Sequence, residues 1–253
     1  MPDAGKRFMS FPTARGHSHG GPRDGCNTRQ EPMALRRALR PLLLCVGLLP
    51  GAAHAGSGAY LVDDASITPA GQCQIQSWLQ VLSGGQQVLN ALPACSTGAV
   101  EWSATLAGQS SPYEHQESPA VKWMIVDGDR HSVGVAINAG TTWSNGRVTS
   151  KNSYAAMTWT PDPERRWAVN LDMGEIYDRA KGWRPLLGVG AKYKATQHLA
   201  FVVEHIRPVT GQAMTQGGVR WAINKSESFD FILGRSDAST HDHWVTLGLN
   251  FAL

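Results

Sequence analysis

The sequence predicts an all-β fold: a closed antiparallel up-and-down transmembrane β-barrel of about 12 strands, with 10 as the alternative count, after a cleaved signal peptide. Three observations lead to this prediction. A single strongly apolar stretch lies near the N-terminus, and short segments with period-two alternation fill residues 73–253. Along these segments, small and polar residues occupy the face opposite the large apolar side chains.

The N-terminal region is expected to be a secretory signal rather than a domain. Residues 33–55 combine a basic start, an apolar run of about ten residues and a small-residue cleavage motif. The motif predicts cleavage between Ala55 and Gly56. The apolar run is too short for a membrane helix, which needs about 20 residues. Residues 1–32 match neither a domain nor a targeting signal, so we expect an over-extended, disordered N-terminus.

Charge and hydropathy exclude two broad classes. Residues 1–55 carry 8 basic and 3 acidic side chains, whereas residues 56–253 carry 15 and 17. The basic excess therefore belongs to the N-terminal segment, and a nucleic-acid-binding body is not expected. The mean hydropathy of −0.25 and the single apolar stretch argue against a protein with several membrane helices.

Two of the four cysteines, Cys73 and Cys95, remain once the predicted signal is removed. In an oxidising compartment such a pair indicates a disulfide. The Gly84-Gly85 turn lies midway between them, so an antiparallel hairpin places them opposite each other or one position apart. A metal site is the alternative, but it lacks third and fourth ligands at zinc spacing. We therefore expect a disulfide between Cys73 and Cys95.

Alternation of side-chain character defines the strands. It is clearest at the C-terminus, where Val245, Leu247, Leu249 and Phe251 alternate with small or polar residues. Twelve such segments are predicted, at 73–81, 86–95, 98–107, 118–127, 130–140, 152–160, 166–175, 183–195, 198–207, 212–223, 228–235 and 243–253. Most approach the 9–11 residues of a tilted membrane strand, and an even number leaves both chain ends on one side.

The connections between strands also alternate in length. Connections after even-numbered strands are mostly short, and the longer polar ones follow odd-numbered strands, at 108–117, 141–151, 176–182 and 236–242. Outer-membrane barrels show this contrast between periplasmic turns and extracellular loops. Residues 56–72 are expected to form a periplasmic N-terminal segment, with Asp63 and Asp64 as surface charges, ahead of a barrel domain at 73–253.

The composition of the two faces favours a membrane barrel over a soluble sandwich, which would hide its apolar face. The expected inner face carries isolated charges that we predict to set solute selectivity: Glu101, Lys122, Asp172, Lys192, Lys194, Glu204, Arg220 and Asp230. Tryptophans near strand ends are expected to form aromatic belts toward lipid: Trp78, Trp143, Trp167, Trp183 and Trp244.

Three motifs carry a family resemblance: VDDA at 62–65, CQIQSW at 73–78 and LPAC at 92–95. Together they resemble the opening of a group of uncharacterised exported β-barrel proteins of proteobacteria. The resemblance implies an outer-membrane barrel with paired cysteines and brings no known activity. The last strand is similar to the assembly signal of outer-membrane proteins, although it ends in Leu253 where an aromatic residue is usual.

The sequence contains no set of residues sufficient for a catalytic site or a metal site. Glu204 and His205 are adjacent, but alternation puts them on opposite faces of a strand, so they cannot form a dyad. His241 and His243 supply only two metal ligands. We therefore expect no catalytic residue, no metal ligand and no cofactor.

The sequence predicts a non-catalytic protein of the outer membrane of a Gram-negative bacterium. Its expected role is a narrow pore or a binder for a small polar solute. The alternatives are a structural or surface-interaction barrel that acts through its extracellular loops and, with less support, a barrel-embedded lipid hydrolase. The expected partners are outer-membrane lipid, a small polar solute, and the barrel-assembly machinery through the C-terminal strand, with no nucleic acid.

Overall fold

A computed structural model describes residues 58–110, 113–179, 181–208, 212–237 and 242–253. The strands are β1 (Cys73–Leu82), β2 (Gln87–Thr97), β3 (Val100–Ser110), β4 (Tyr113–Val126), β5 (Val133–Ser144), β6 (Arg147–Trp159), β7 (Trp167–Asp178), β8 (Gly182–Lys194), β9 (Leu199–Pro208), β10 (Met214–Ala222), β11 (Glu227–Ser236) and β12 (His243–Ala252). Each strand pairs with its sequence neighbours, and β1 pairs with β12, so the predicted closed barrel of 12 strands is confirmed. The predicted signal peptide, its cleavage site and residues 1–32 lie outside the described residues.

Side chains alternate between the lumen and the outer surface along each strand. In β12, Val245, Leu247 and Leu249 are 37 %, 42 % and 42 % exposed, whereas Thr246 between them is 1 % exposed. The apolar side chains therefore face outward. This inverts the arrangement of water-soluble proteins and matches the outer wall of a membrane barrel. None of the described residues forms a helix long and apolar enough to cross a bilayer.

The barrel has two distinct ends. We call the end at which β1 begins and β12 finishes the termini end, and the opposite end the loop end. At the termini end, Cys73 of β1 lies directly opposite Cys95 of β2, and the two form a disulfide, as predicted. The disulfide joins the first hairpin at the point where the chain leaves the lumen and becomes the barrel wall.

The predicted aromatic belt is correct for three tryptophans and wrong for two. Trp143, Trp167 and Trp183 share the outward face, and the last two are about half exposed. Trp78 instead shares the lumen face with Gln76, and Trp244 is 7 % exposed and packs on Gly234. Proximity to a strand end does not determine which face a side chain occupies. A belt forms mainly at the termini end, from Trp102, Trp123, Trp159, Trp167 and Trp221.

Two predicted loops, 108–117 and 141–151, are mostly strand. β3 continues to Ser110 and β4 starts at Tyr113, while β5 and β6 are joined by Asn145 and Gly146 alone. Both residues of that turn have positive φ (49° and 73°), the geometry of a tight type I′ hairpin. A strand loses its apolar alternation where it extends beyond the lipid, so these extensions resemble loops in sequence. The wall from β4 to β8 is consequently taller, with 12–14 residues a strand against 9–10 in β9–β12.

Candidate functional site: a segment inside the lumen

Residues 58–68, here termed the lumen segment, lie inside the barrel. Val62, Asp63 and Thr68 are 1 %, 2 % and 2 % exposed. Between Ala59 and Thr68 the segment contacts β12 and β10, then β11, β9, β8 and β7, and finally β6, β5, β4 and β3, so it follows the inner wall around most of the barrel. The expectation that Asp63 is a solvated charge on a segment outside the barrel is therefore wrong. Burial of the Asp63 charge is compensated by Lys122, which lies 59 positions away in the chain, a pairing that no local sequence pattern indicates.

Inward glycines make room for the lumen segment. Val62 lies over Gly188 and Gly190 of β8, and a Cβ at those positions would approach Val62 atoms to 3.2 and 3.4 Å. A Cβ at Gly134 of β5 would lie 3.2 Å from Ala65. The space left by these small residues is therefore occupied by the chain itself. A larger side chain at any of the three positions would push against the segment.

Asp63 is the main polar contact of the segment. Its Oδ1 accepts a hydrogen bond from Lys122 Nζ at 2.9 Å, and the two side chains are only 3–4 % exposed. Its Oδ2 accepts from the Tyr154 hydroxyl at 3.1 Å, and its N–H donates to Asp172 Oδ2 at 2.8 Å. Lys122 also donates to the backbone oxygen of Asp64. A buried charge is tolerated only when it is paired and hydrogen-bonded, and Asp63 and Lys122 meet that condition for each other.

Side chains of the wall also accept hydrogen bonds from the segment's backbone. The N–H of Leu61 donates to Glu204 at 2.9 Å, and that of Ala65 donates to Thr158 at 2.8 Å. Glu101 accepts from both the N–H and the hydroxyl of Thr68, at 2.7 and 2.6 Å. A buried chain outside the sheet must find partners for its N–H groups, and here inward acids and hydroxyls supply them.

Tyr60 makes the second polar contact, against an ion pair within the wall. Arg220 donates two hydrogen bonds to Asp230, at 2.7 and 2.9 Å, and Asp230 is fully buried. Asn250 donates a further hydrogen bond to Asp230 at 2.9 Å. The Tyr60 hydroxyl donates to Asp230 at 3.1 Å, and its ring lies 4.7 Å from the Arg220 guanidinium. Burial raises the pKa of Tyr60 well above its ordinary value, which keeps the hydroxyl protonated as a donor.

Six of the eight predicted lumen charges hold the segment directly or through a pair. Hydrogen bonds to the segment are made by Glu101, Lys122, Asp172 and Glu204. The paired side chains of Arg220 and Asp230 contact Tyr60. Lys192 lines a small gap beside Asp64 and Glu204, and Lys194 is exposed at the termini end of β8. Neither the role of Tyr60 and Asp63 as contacts of the segment nor that of Tyr154 as a wall partner of Asp63 was predicted. The signal available was an acidic pair in an apolar run, close to a barrel rich in inward glycines.

The histidines considered as catalytic or metal-binding candidates do not form a site among the described residues. His205 faces outward and bonds Thr215 through Nδ1 at 2.9 Å, whereas Glu204 faces the lumen at 3 % exposure. The two side chains thus lie on opposite faces, as alternation predicts. His241 lies outside the described residues. Within the described ranges, no group of three or more potential metal ligands occurs.

A family model described as uncharacterised conserved protein UCP029691 matches residues 44–253. The chain belongs to this family. No curated protein matches it. Among solved structures, it is similar to the KdgM porin in complex with disordered oligogalacturonate, with a TM-score of 0.61, 8% identity, and coverage of 71% of this chain and 99% of that one. It is also similar to the NanC porin, with a TM-score of 0.57, 9% identity, and coverage of 71% and 100%. At this low sequence identity, the similarity concerns the fold alone.

Proposed function

We propose that this protein is an outer-membrane channel for small polar solutes whose lumen is closed by its own residues 58–68. The apolar outer wall and the aromatic belt at the termini end support a location in the outer membrane of a Gram-negative bacterium. Insertion there would use β12 as the signal for the barrel-assembly machinery. The porin-like fold supports a role in solute passage.

The main support for the proposal is that wall side chains, and not the backbone of the sheet, bind the lumen segment. Its N–H groups at Leu61, Asp63, Ala65 and Thr68 all donate to side chains of the wall. The hydrogen bonds that build the barrel run between neighbouring strands and do not depend on the segment. The segment can therefore leave the lumen while the barrel stays closed as a sheet. Twelve strands enclose more space than the filled interior of an eight-stranded barrel, so its departure would open a polar passage.

A structural barrel is the second candidate. The buried pairs Lys122–Asp63 and Arg220–Asp230 favour it, because opposite charges that pair inside a lumen close it. Residues 108–117 and 141–151, through which such a barrel was expected to contact partners, are mostly strand, so contacts there would be made by the extended ends of β3 to β6. The two candidates differ in one property: a channel conducts when the segment is removed, and a structural barrel does not.

The decisive experiment locks or removes the lumen segment. A Cβ at Gly248 would lie 3.7 Å from the Ala59 Cβ, which suits a disulfide, so the double variant Ala59→Cys/Gly248→Cys should lock the segment in place. A second variant begins at Pro69 and lacks the segment. We expect the oxidised double variant to be silent in planar bilayers, and both the reduced double variant and the shortened chain to conduct.

Controls separate the lock from other effects. Each single cysteine variant, and the wild type under the same reductant, accounts for reduction of the native Cys73–Cys95 bond. Circular dichroism of the shortened chain checks that the barrel has formed. A folded shortened chain that stays silent at every salt concentration and voltage would overturn the channel proposal in favour of the structural barrel. A conducting form can then be offered neutral sugars, amino acids and small acids to define the solute class.

A further inference from the structure

A groove outside the lumen lies at the loop end of the tall wall. It has a volume of about 650 Å³ and is lined by Arg147, Val148, Lys151, Tyr177, Arg179 and Trp183. Lys151 of β6 pairs with Tyr177 of β7, which pairs with Trp183 of β8, so the three side chains form one row on the outward face. The rings of Tyr177 and Trp183 are 5.4 Å apart. Three strands therefore present one continuous basic and aromatic surface.

The groove has an excess of positive charge. Arg147, Lys151 and Arg179 are exposed, and none of them forms an ion pair with any residue that the structure describes. Glu175 is the acid on the same outward face of β7, two residues closer to the membrane than Tyr177, and it does not line the groove. Asp178 follows Tyr177 on the opposite face of the strand. Three unpaired cations thus remain available to an anion from outside the barrel.

Beyond the pair formed by Glu175 and Pro185, the outward face next to the groove becomes apolar. Met173 of β7 and Leu187 of β8 pair with each other further from the loop end, and they are 57 % and 49 % exposed. A bound molecule could therefore place acyl chains on the apolar wall, a polar ring system against Tyr177 and Trp183, and anionic groups between the cations. The succession of apolar wall, aromatic rings and cations matches the acyl chains, sugar rings and phosphates of an acylated lipid with a phosphorylated headgroup.

We propose that this groove binds the phosphorylated glycolipid of the outer leaflet, the lipid A class, with its phosphates on Arg147, Lys151 and Arg179. The inference uses the outer-membrane location given above, with the loop end toward the outer leaflet, but does not depend on conduction. A free phosphate would use only the cations. The adjoining rings and apolar wall favour a lipid.

The test measures binding of bisphosphorylated lipid A to the refolded full mature chain in detergent micelles, by native mass spectrometry. The triple variant Arg147→Gln/Lys151→Gln/Arg179→Gln should bind about 100-fold more weakly, and Lys151→Gln alone about fivefold more weakly. Trp183→Ala should weaken lipid A binding without affecting competition by inorganic phosphate. Arg235→Gln is the matched control, an exposed arginine at the loop end of β11 outside the groove, and should leave binding unchanged.

Two results would overturn the proposal. Equal affinity of the triple variant and the wild type would show that lipid A does not use the groove. Complete displacement of lipid A by millimolar inorganic phosphate, with no effect of Trp183→Ala, would assign the cations to a free anion. Because all five substituted side chains, including Arg235, are exposed, the variants should retain the circular dichroism of the folded barrel. Conductance of the shortened chain is measured separately, so failure of this proposal and failure of the channel proposal are distinguishable.

Discussion

The two polar contacts of the lumen segment, at Asp63 and at Tyr60, use charge in different ways. At Asp63, one member of the ion pair belongs to the segment and the other, Lys122, belongs to the wall. At Tyr60, both members, Arg220 and Asp230, belong to the wall, and the segment adds a hydroxyl and a ring. If the segment departs, Lys122 therefore loses the carboxylate that neutralises it, whereas Arg220 keeps its partner. The contact at Asp63 should be the stronger one, and the N-terminal part of the segment should be released first.

Of the substitutions that test this difference, replacing Asp63 should weaken docking of the lumen segment the most. Asp63→Ala removes the carboxylate that pairs with Lys122 and should weaken docking of the segment by about 3–5 kcal/mol, because it leaves a buried charge without its partner. Hydrogen exchange of peptides from residues 58–68 measures the release. Asp64→Ala is the comparison variant and should have a clearly smaller effect, since the Asp64 carboxylate hydrogen-bonds Ser66 within the segment and no hydrogen bond joins it to Lys122. Adding Lys122→Met to Asp63→Ala should restore part of the protection, and equal effects of the two aspartates would contradict the assignment.

Filling the glycine site beneath Val62 should have an intermediate effect. Gly190 lies between the two contacts along the path of the segment, and a Cβ there would sit 3.3 Å from Glu204 and 3.4 Å from Val62. We expect Gly190→Val to weaken docking by about 1–3 kcal/mol through overpacking, and to raise exchange at both contacts together. Combining it with Val62→Ala should recover much of the loss. Unchanged exchange in Gly190→Val would mean that Val62 does not rest on β8.

Removing the Tyr60 hydroxyl should have a smaller effect, confined to one end of the segment. Tyr60→Phe loses one hydrogen bond, worth about 1 kcal/mol, while the ring and the Arg220–Asp230 pair remain. Exchange should rise for residues 58–61 and stay low around Asp63. If Tyr60→Phe freed the whole segment as Asp63→Ala does, the two contacts would be equivalent and the comparison would fail.

Acid should weaken the Asp63 end slightly, through Asp64. Burial by itself would raise the pKa of Asp64, but Lys122 and Lys192 act in the opposite direction. Together with hydrogen bonds from Ser66 they lower the pKa below its ordinary value of 3.8. The contribution of Asp64 is thus fully present above that value and is lost as pH falls through the lowered pKa. Channel opening recorded from about pH 6 to about pH 3 should rise more in the wild type than in Asp64→Asn.

Period-two alternation predicted the twelve strands, because a membrane wall imposes the same local pattern on every strand, and the small and polar composition of one face predicted that the apolar face points outward. The disulfide was predictable because Cys73 and Cys95 lie at equal distances from one turn. Prediction was poorer for the loop end, where β3 to β6 extend beyond the apolar band and both faces of a strand become polar. Trp78 and Trp244 were misplaced for a related reason, since position near a strand end leaves the facing direction open.

Alternation and cysteine spacing along the chain predicted a barrel with an apolar exterior, a polar interior and one hairpin disulfide, because each property depends on residues close together in the chain. The occupant of that interior is visible only in the folded barrel. Val62 meets Gly188 and Gly190, and Asp63 meets Lys122, across separations of 59 to 128 positions. Closing the sheet into a cylinder brings these residues together, and no periodicity along the chain encodes which inward side chain a threaded segment will meet.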